Sequence, residues 1–165
     1  MKRRQFLGLV GAGGIASLVP GFALARPKPD LTRADDIEVL ELSEAEWRER
    51  LSDARFEILR EAGTEPAYSS PLDEETRQGA YRCAGCELLL FTSDMKYDSG
   101  TGWPSFVEHV EGHLLTSVDY FLVFPRTEYH CARCGGHQGH IFDDGPEPTG
   151  LRWCNNGLAL RFVPA

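Results

Sequence analysis

The sequence carries little positive charge: 17 lysines and arginines stand against 25 aspartates and glutamates, a formal net charge of −8. No basic stripe is available to neutralise phosphates, which excludes a general affinity for nucleic acid. The acidity serves solubility. No apolar run reaches the length of an ordinary membrane span. Internal repeats are missing apart from two cysteine pairs, and low-complexity tracts are missing altogether, which excludes a repeat architecture. Long gaps between apolar runs are scarce. Parallel strands need crossovers of a dozen or more residues, so the sheets are expected to be mainly antiparallel. At 165 residues the chain suits one domain with a modest core.

What is present begins with an export signal. Lys2, Arg3 and Arg4 make a basic start, and a mostly apolar, glycine-rich run follows from Phe6 to Val19. Pro20 and Gly21 break that run, and Ala23-Leu24-Ala25 is a small-x-small cleavage site. Arg3-Arg4 followed by Gln5-Phe6-Leu7 resembles the twin-arginine signal. Residues 1–25 are therefore expected to direct export, to the periplasm, and to lie outside the folded unit. Residues 26–42, rich in proline and charge, read as a linker.

Residues 43–165 read as the functional domain. Ser43 opens a helix with Glu46 completing a capping box. Trp47, Leu51, Ala54, Ile58 and Leu59 recur at helical spacing, and Gly63 is a stop. From Gly79 onward short apolar runs alternate with turn residues. Strands are predicted near 80–82, 87–91, 114–117, 120–124, 128–130, 139–142, 151–154 and 158–163. The fold class is α+β, mainly β.

The five cysteines divide four plus one. Cys83-Ala84-Gly85-Cys86 and Cys131-Ala132-Arg133-Cys134 are two C-x-x-C knuckles, the pattern of a tetrahedral four-cysteine Zn2+ site. A disulfide framework and a redox-active C-x-x-C are the competing readings. The identical spacing, and an export route that carries folded proteins, favour zinc. Cys154 stands apart in Leu151-Arg152-Trp153-Cys154-Asn155-Asn156-Gly157. A lone cysteine is commonly an inert core residue. Here Arg152 and two asparagines make a polar, partly positive setting, and a nearby cation raises the thiolate fraction. His137 and His140 follow the second knuckle three residues apart. They read either as surface or metal-binding residues or, with four cysteines already filling a zinc shell, as groups free for proton chemistry. Trp103 lies in the glycine-flanked Gly100-Thr101-Gly102-Trp103-Pro104, available as core or as a pocket wall.

Taken in order, these segments resemble the B-type methionine sulfoxide reductase family. The matching elements are Gly63-Thr64-Glu65-Pro66, Tyr81 to Cys86, Lys96 to Phe106, Arg126-Thr127-Glu128, the Cys131/Cys134 knuckle with His137 and His140, Phe142 to Pro146, Pro148 to Cys154, and Asn156. The resemblance implies two twisted antiparallel sheets, with zinc on the side away from the active site. It assigns the nucleophile to Cys154, the active-site histidines to His137 and His140, the pocket walls to Trp103 and Phe142, and the organising polar groups to Asp144, Arg152 and Asn156. Four positions depart from the family pattern. Trp153 replaces a tyrosine or phenylalanine, Asn155 an apolar residue and Gln138 a leucine, and Thr101 stands where some members carry a resolving cysteine.

The resemblance implies reduction of methionine-R-sulfoxide, peptide-bound or free, by a monomer. Cys154 would be regenerated by a thioredoxin-like protein or a small-molecule thiol. Two rivals belong to other classes. A non-catalytic zinc-ribbon binding module would not need Cys154, His137, His140 and Trp103 together. A thiol–disulfide oxidoreductase would need an exposed, metal-free knuckle cysteine.

Overall fold

A computed structural model gives the fold for Pro29, residues 31–120 and residues 125–165. The expected export signal, residues 1–25, lies outside the described residues, as does most of the strand expected at 120–124. In place of one helix there are two, α1 (Glu44–Arg50) and α2 (Asp53–Glu61). Ser43 and Glu46 form the expected capping box. Ser52 then starts a fresh cap, its hydroxyl accepting from the Arg55 N–H. A serine that bonds the backbone this way competes with continuation of a helix. The break turns the apolar stripe: Trp47, Leu51, Ile58 and Leu59 are buried together with Phe56, whereas Ala54 is exposed. The second helix ends on Ala62, which adopts the left-handed conformation (φ 54°), one residue before the expected Gly63.

Among the described residues nine strands follow: β1 (Gly79–Cys83), β2 (Leu89–Thr92), β3 (Lys96–Tyr97), β4 (Ser105–Phe106), β5 (Leu114–Asp119), β6 (Arg126–Cys131), β7 (His137–Phe142), β8 (Arg152–Asn155) and β9 (Leu160–Pro164). They form a three-stranded sheet, β2-β1-β9, and a six-stranded sheet, β3-β4-β8-β7-β6-β5. Every pairing is antiparallel. The two-residue strands β3 and β4 had no counterpart in the sequence reading, because two residues carry no alternation. They nevertheless place Ser105 directly opposite Cys154.

The sheets meet through aromatic rings. Phe91 of β2 stacks on Phe106 of β4 at 4.0 Å between centroids, and Tyr81 of β1 meets the same ring edge-on at 5.0 Å. Tyr129 of β6 meets the Phe91 ring edge-on at 6.4 Å. Rings of this kind bury roughly 150–250 Å² each and dominate such a core. The helices close one end: Trp47, Phe56, Ile58 and Leu59 belong to the same core. Residues 31–42, read as linker, have no helix or strand but lie along the domain. Ile37 is buried, and the Leu40 N–H donates to the Arg133 carbonyl at 2.8 Å.

One irregularity positions the site. The β6–β7 register runs Thr127↔Ile141, Glu128↔His140, Tyr129↔Gly139, then slips to His130↔His137. Gln138 is the extra residue of a β-bulge. Strict alternation would send His137 and His140 to opposite faces, and one inserted residue restores them to a common one.

Candidate active site and metal centre

Cys154, in β8, is flanked by Ser105 of β4 and His140 of β7. The approach of β7 is close: a Cβ on Gly139 would lie 1.9 Å from the Cys154 carbonyl oxygen, so only glycine fits. Cys154, His140, Trp103, Phe142 and Asn156 line one pocket of about 130 Å³, with Thr64, Arg126, Gly139 and Asn155. Thr64, Arg126 and His140 also border an adjoining cleft of about 480 Å³ that contains His137. The His137 and His140 rings are 5.4 Å apart. Of the residues expected from sequence, Arg152 and Asp144 do not line the pocket; they form its backing. Asp144 grips the Arg152 guanidinium with two hydrogen bonds, at 2.8 and 3.0 Å, and the guanidinium lies 4.3 Å over the Phe142 ring.

Both histidines are held by carboxylates. His137 Nδ1 is 2.7 Å from Glu128 Oε1, and His140 Nε2 is 2.9 Å from Asp119 Oδ2. Asp119 is itself held by Arg126. Burial pulls His140 below the ordinary histidine range; Asp119 opposes this, while Arg126 and His137 add to it. His140 is thus biased toward the neutral ring. His137 is buried, and its Nε2 is without a partner. Burial pushes the Cys154 thiol up, and the Arg152 charge pulls it only part of the way back. The sequence reading had the cation dominating; enclosure between strands outweighs it.

Trp103 sits on a loop whose turn requires Gly102 at φ +87°. Its indole Nε1–H donates to the Glu65 carbonyl at 3.1 Å. The Glu65 N–H in turn donates to Asn156 Oδ1 at 3.1 Å, and Asn156 Nδ2 donates to the Gln138 carbonyl at 3.1 Å. With both ends of its amide committed, Asn156 fixes the peptide that anchors Trp103. Glu65, almost fully buried, accepts the N–H groups of Gly157 and Leu158, just beyond the Cys154 strand. Glu65, Asp119, Arg126 and Glu128 were not singled out as site residues from sequence. Three of them lie in segments that carry the resemblance, and Asp119 carried no local signal.

The cysteines that could hold a metal lie outside the pocket. The sulfurs of Cys83, Cys86, Cys131 and Cys134 fall within 4.8 Å of one another, all four residues buried. Cys83 and Cys134 are 3.6 Å apart at sulfur, Cys86 and Cys131 3.4 Å. A tetrahedral zinc with Zn–S bonds of about 2.3 Å separates its sulfurs by about 3.8 Å, so the set fits such an ion. The four sulfurs converge on a single point, which suits one shared metal better than two separate bridges.

Comparison with known proteins agrees with this geometry. The SelR domain family matches residues 51–164. The chain is 50% identical over 123 residues to the peptide methionine sulfoxide reductase MsrB of Agrobacterium fabrum, covering 74% of this chain and 91% of that protein. It is 50% identical over 129 residues to the protein of the same name from Azotobacter vinelandii, covering 78% and 97%. Similarity extends to the chloroplastic peptide methionine sulfoxide reductase B1 of Arabidopsis thaliana, 43% identical over 144 residues, covering 86% and 71%.

Proposed function

The chain belongs to the SelR-domain, B-type methionine sulfoxide reductase family, and from that premise we propose that it reduces methionine-R-sulfoxide to methionine with Cys154 as nucleophile. The observation that carries this reading is the register pairing of Cys154 with His140, in a pocket walled by Trp103 and Phe142. The Cys154 thiolate attacks the electrophilic sulfoxide sulfur. Its oxygen is a poor leaving group until protonated, and His137 and His140 are the proton donors within reach. Two electrons pass from Cys154 to the substrate. Methionine departs, and the oxygen stays on Cys154 as a sulfenic acid. The apolar walls hold the substrate methyl group and thereby select the epimer.

One thiol then condenses with the sulfenic acid, forming a mixed disulfide and releasing water; a second thiol frees Cys154. Thr101 occupies the position of a resolving cysteine, so both thiols come from outside: a thioredoxin-like protein or a small molecule. Cys83, Cys86, Cys131 and Cys134 hold a zinc ion that supplies folding energy and takes no part in the chemistry. Residues 1–25 are a twin-arginine signal and the enzyme works in the periplasm, as a monomer, on oxidised proteins or peptides. The deciding experiment offers each sulfoxide epimer, free and peptide-bound, with a chemical thiol. Reduction of the R epimer alone, lost in Cys154→Ser, is the expected result; activity retained in that variant refutes the reading.

A further inference from the structure

Two of the departures from the family pattern, Gln138 and Asn155, meet in the interior. Both are fully buried. The Gln138 side-chain Nε2 donates to Cys83 Sγ at 3.5 Å and to the Gly136 carbonyl at 3.4 Å. Its Oε1 accepts from Asn155 Nδ2 at 3.4 Å. Asn155 Nδ2 also donates to the Asn156 carbonyl at 2.8 Å, and Asn155 Oδ1 accepts from the Tyr129 hydroxyl at 2.9 Å. Gln138 is also the bulge residue between the two site histidines, and its carbonyl receives the Asn156 N–H at 2.8 Å. One residue thus touches a knuckle sulfur and the nucleophile's strand with its side chain, and the residue just beyond that strand with its backbone.

We infer that Gln138 is a positioning residue that binds the four-cysteine metal centre to the catalytic strand: its amide donates to the metal-bound Cys83 sulfur and, through Asn155, braces the β8 segment that carries Cys154. A donor to a coordinated thiolate stabilises its negative charge, and groups of this kind typically change metal affinity 10–100-fold. Buried amides persist in a core only when their partners are satisfied. In this chain the amide of Gln138 has its acceptor in the metal shell and its donor beside the nucleophile. Metal retention and catalytic geometry are thereby tied through one side chain.

The inference rests on zinc in the four-cysteine site and on Cys154 as nucleophile, and both are measured first, as zinc content and as activity of Cys154→Ser. Zinc-free native protein, or an active serine variant, fails those readings and not this one. The test replaces Gln138 by Met, similar in length but lacking the amide, and Asn155 by Leu. The rate of zinc loss to a chelator and the separate values of kcat and KM are then recorded. Gln138→Met is expected to lose zinc about tenfold faster and to show a several-fold lower kcat with KM within twofold of native. Asn155→Leu is expected to lower kcat with a smaller effect on zinc loss. Zinc loss at the native rate in a folded Gln138→Met protein overturns the metal arm, and an unchanged kcat overturns the catalytic arm. Should Gln138→Met not fold, the native chain loaded with 113Cd decides the metal arm. A scalar coupling between the metal and the Gln138 side-chain amide proton is expected, and its absence overturns the inference.

Discussion

Glu65 offers the sharpest test of how the site is held. Its carboxylate is almost fully buried and accepts two backbone N–H groups, those of Gly157 and Leu158, at the turn leaving the nucleophile's strand. In Glu65→Gln one of those acceptors becomes an NH₂ group that faces a backbone donor. The loss has two parts. A hydrogen bond to a charged group contributes about 1.5–3 kcal/mol, and an orphaned buried donor costs about 1–3 kcal/mol. A destabilisation of about 3 kcal/mol is expected. For a chain of this size each kcal/mol moves the melting temperature by about 2–4 °C, a fall of roughly 6–12 °C. The same turn carries Asn156, which holds the Glu65 peptide that anchors the Trp103 indole. Loosening it should weaken the pocket wall, so kcat/KM should fall about tenfold, mostly through KM. Calorimetric melting and steady-state kinetics with an oxidised peptide measure both. A melting temperature within 2 °C of native, together with unchanged KM, refutes the reasoning.

Metal analysis should give one zinc per chain, and Cys131→Ser should lose the metal and melt lower; two internal disulfides by mass, with no zinc, would overturn that assignment. Asp119→Asn removes the carboxylate that opposes the lowering of His140, so the histidine should lose its proton at lower pH and the alkaline limb of the kcat profile should move down; an upward or absent movement would exclude His140 as the proton donor. Burial raises Cys154, so its alkylation rate should climb through pH 9 without a plateau, and Arg152→Met, which removes the opposing cation, should move the curve further up; a plateau below pH 8 in the native protein contradicts this. After one turnover without reductant, a sulfenic-acid trap should label Cys154 alone with zinc retained; an internal disulfide to a knuckle cysteine would mean that the metal site serves as the reductant.

Local signals in the sequence translated well. The capping box of Ser43 and Glu46, the knuckle spacing and the strands of four or more residues each need only neighbours to be read. Signals that depend on distant partners did not. Glu65 finds its N–H donors 92 and 93 residues away, and Asp119 meets His140 across 21 residues. No periodicity encodes such meetings. The helix was read as one because its apolar spacing continues through Leu51. Only the cap at Ser52 divides it, and serine is common enough within helices to give no warning. The partial burial of Cys154 was equally hidden, because its polar neighbours Asn155 and Arg152 turn inward to partners of their own instead of opening the site to water.

The histidines show where resemblance and physics carry different information. Three residues apart on a strand, His137 and His140 belong on opposite faces by alternation alone. Resemblance placed both at the site without saying how that comes about. The mechanism is the bulge at Gln138, and the sequence did hold a trace of it: a glycine in the middle of the strand, between the two histidines. Glycine inside a strand marks a bulge or a close approach of backbone, and Gly139 serves the second purpose against Cys154. Gln138 beside it marks the first, as the extra residue against β6, while its carbonyl receives the Asn156 N–H in continuation of the β7–β8 register. The bulge against β6 thus gathers the two histidines on one face of β7, while the regular register on the other edge of the same strand sets Cys154 opposite His140, so the two edges of β7 position the proton donors and the nucleophile.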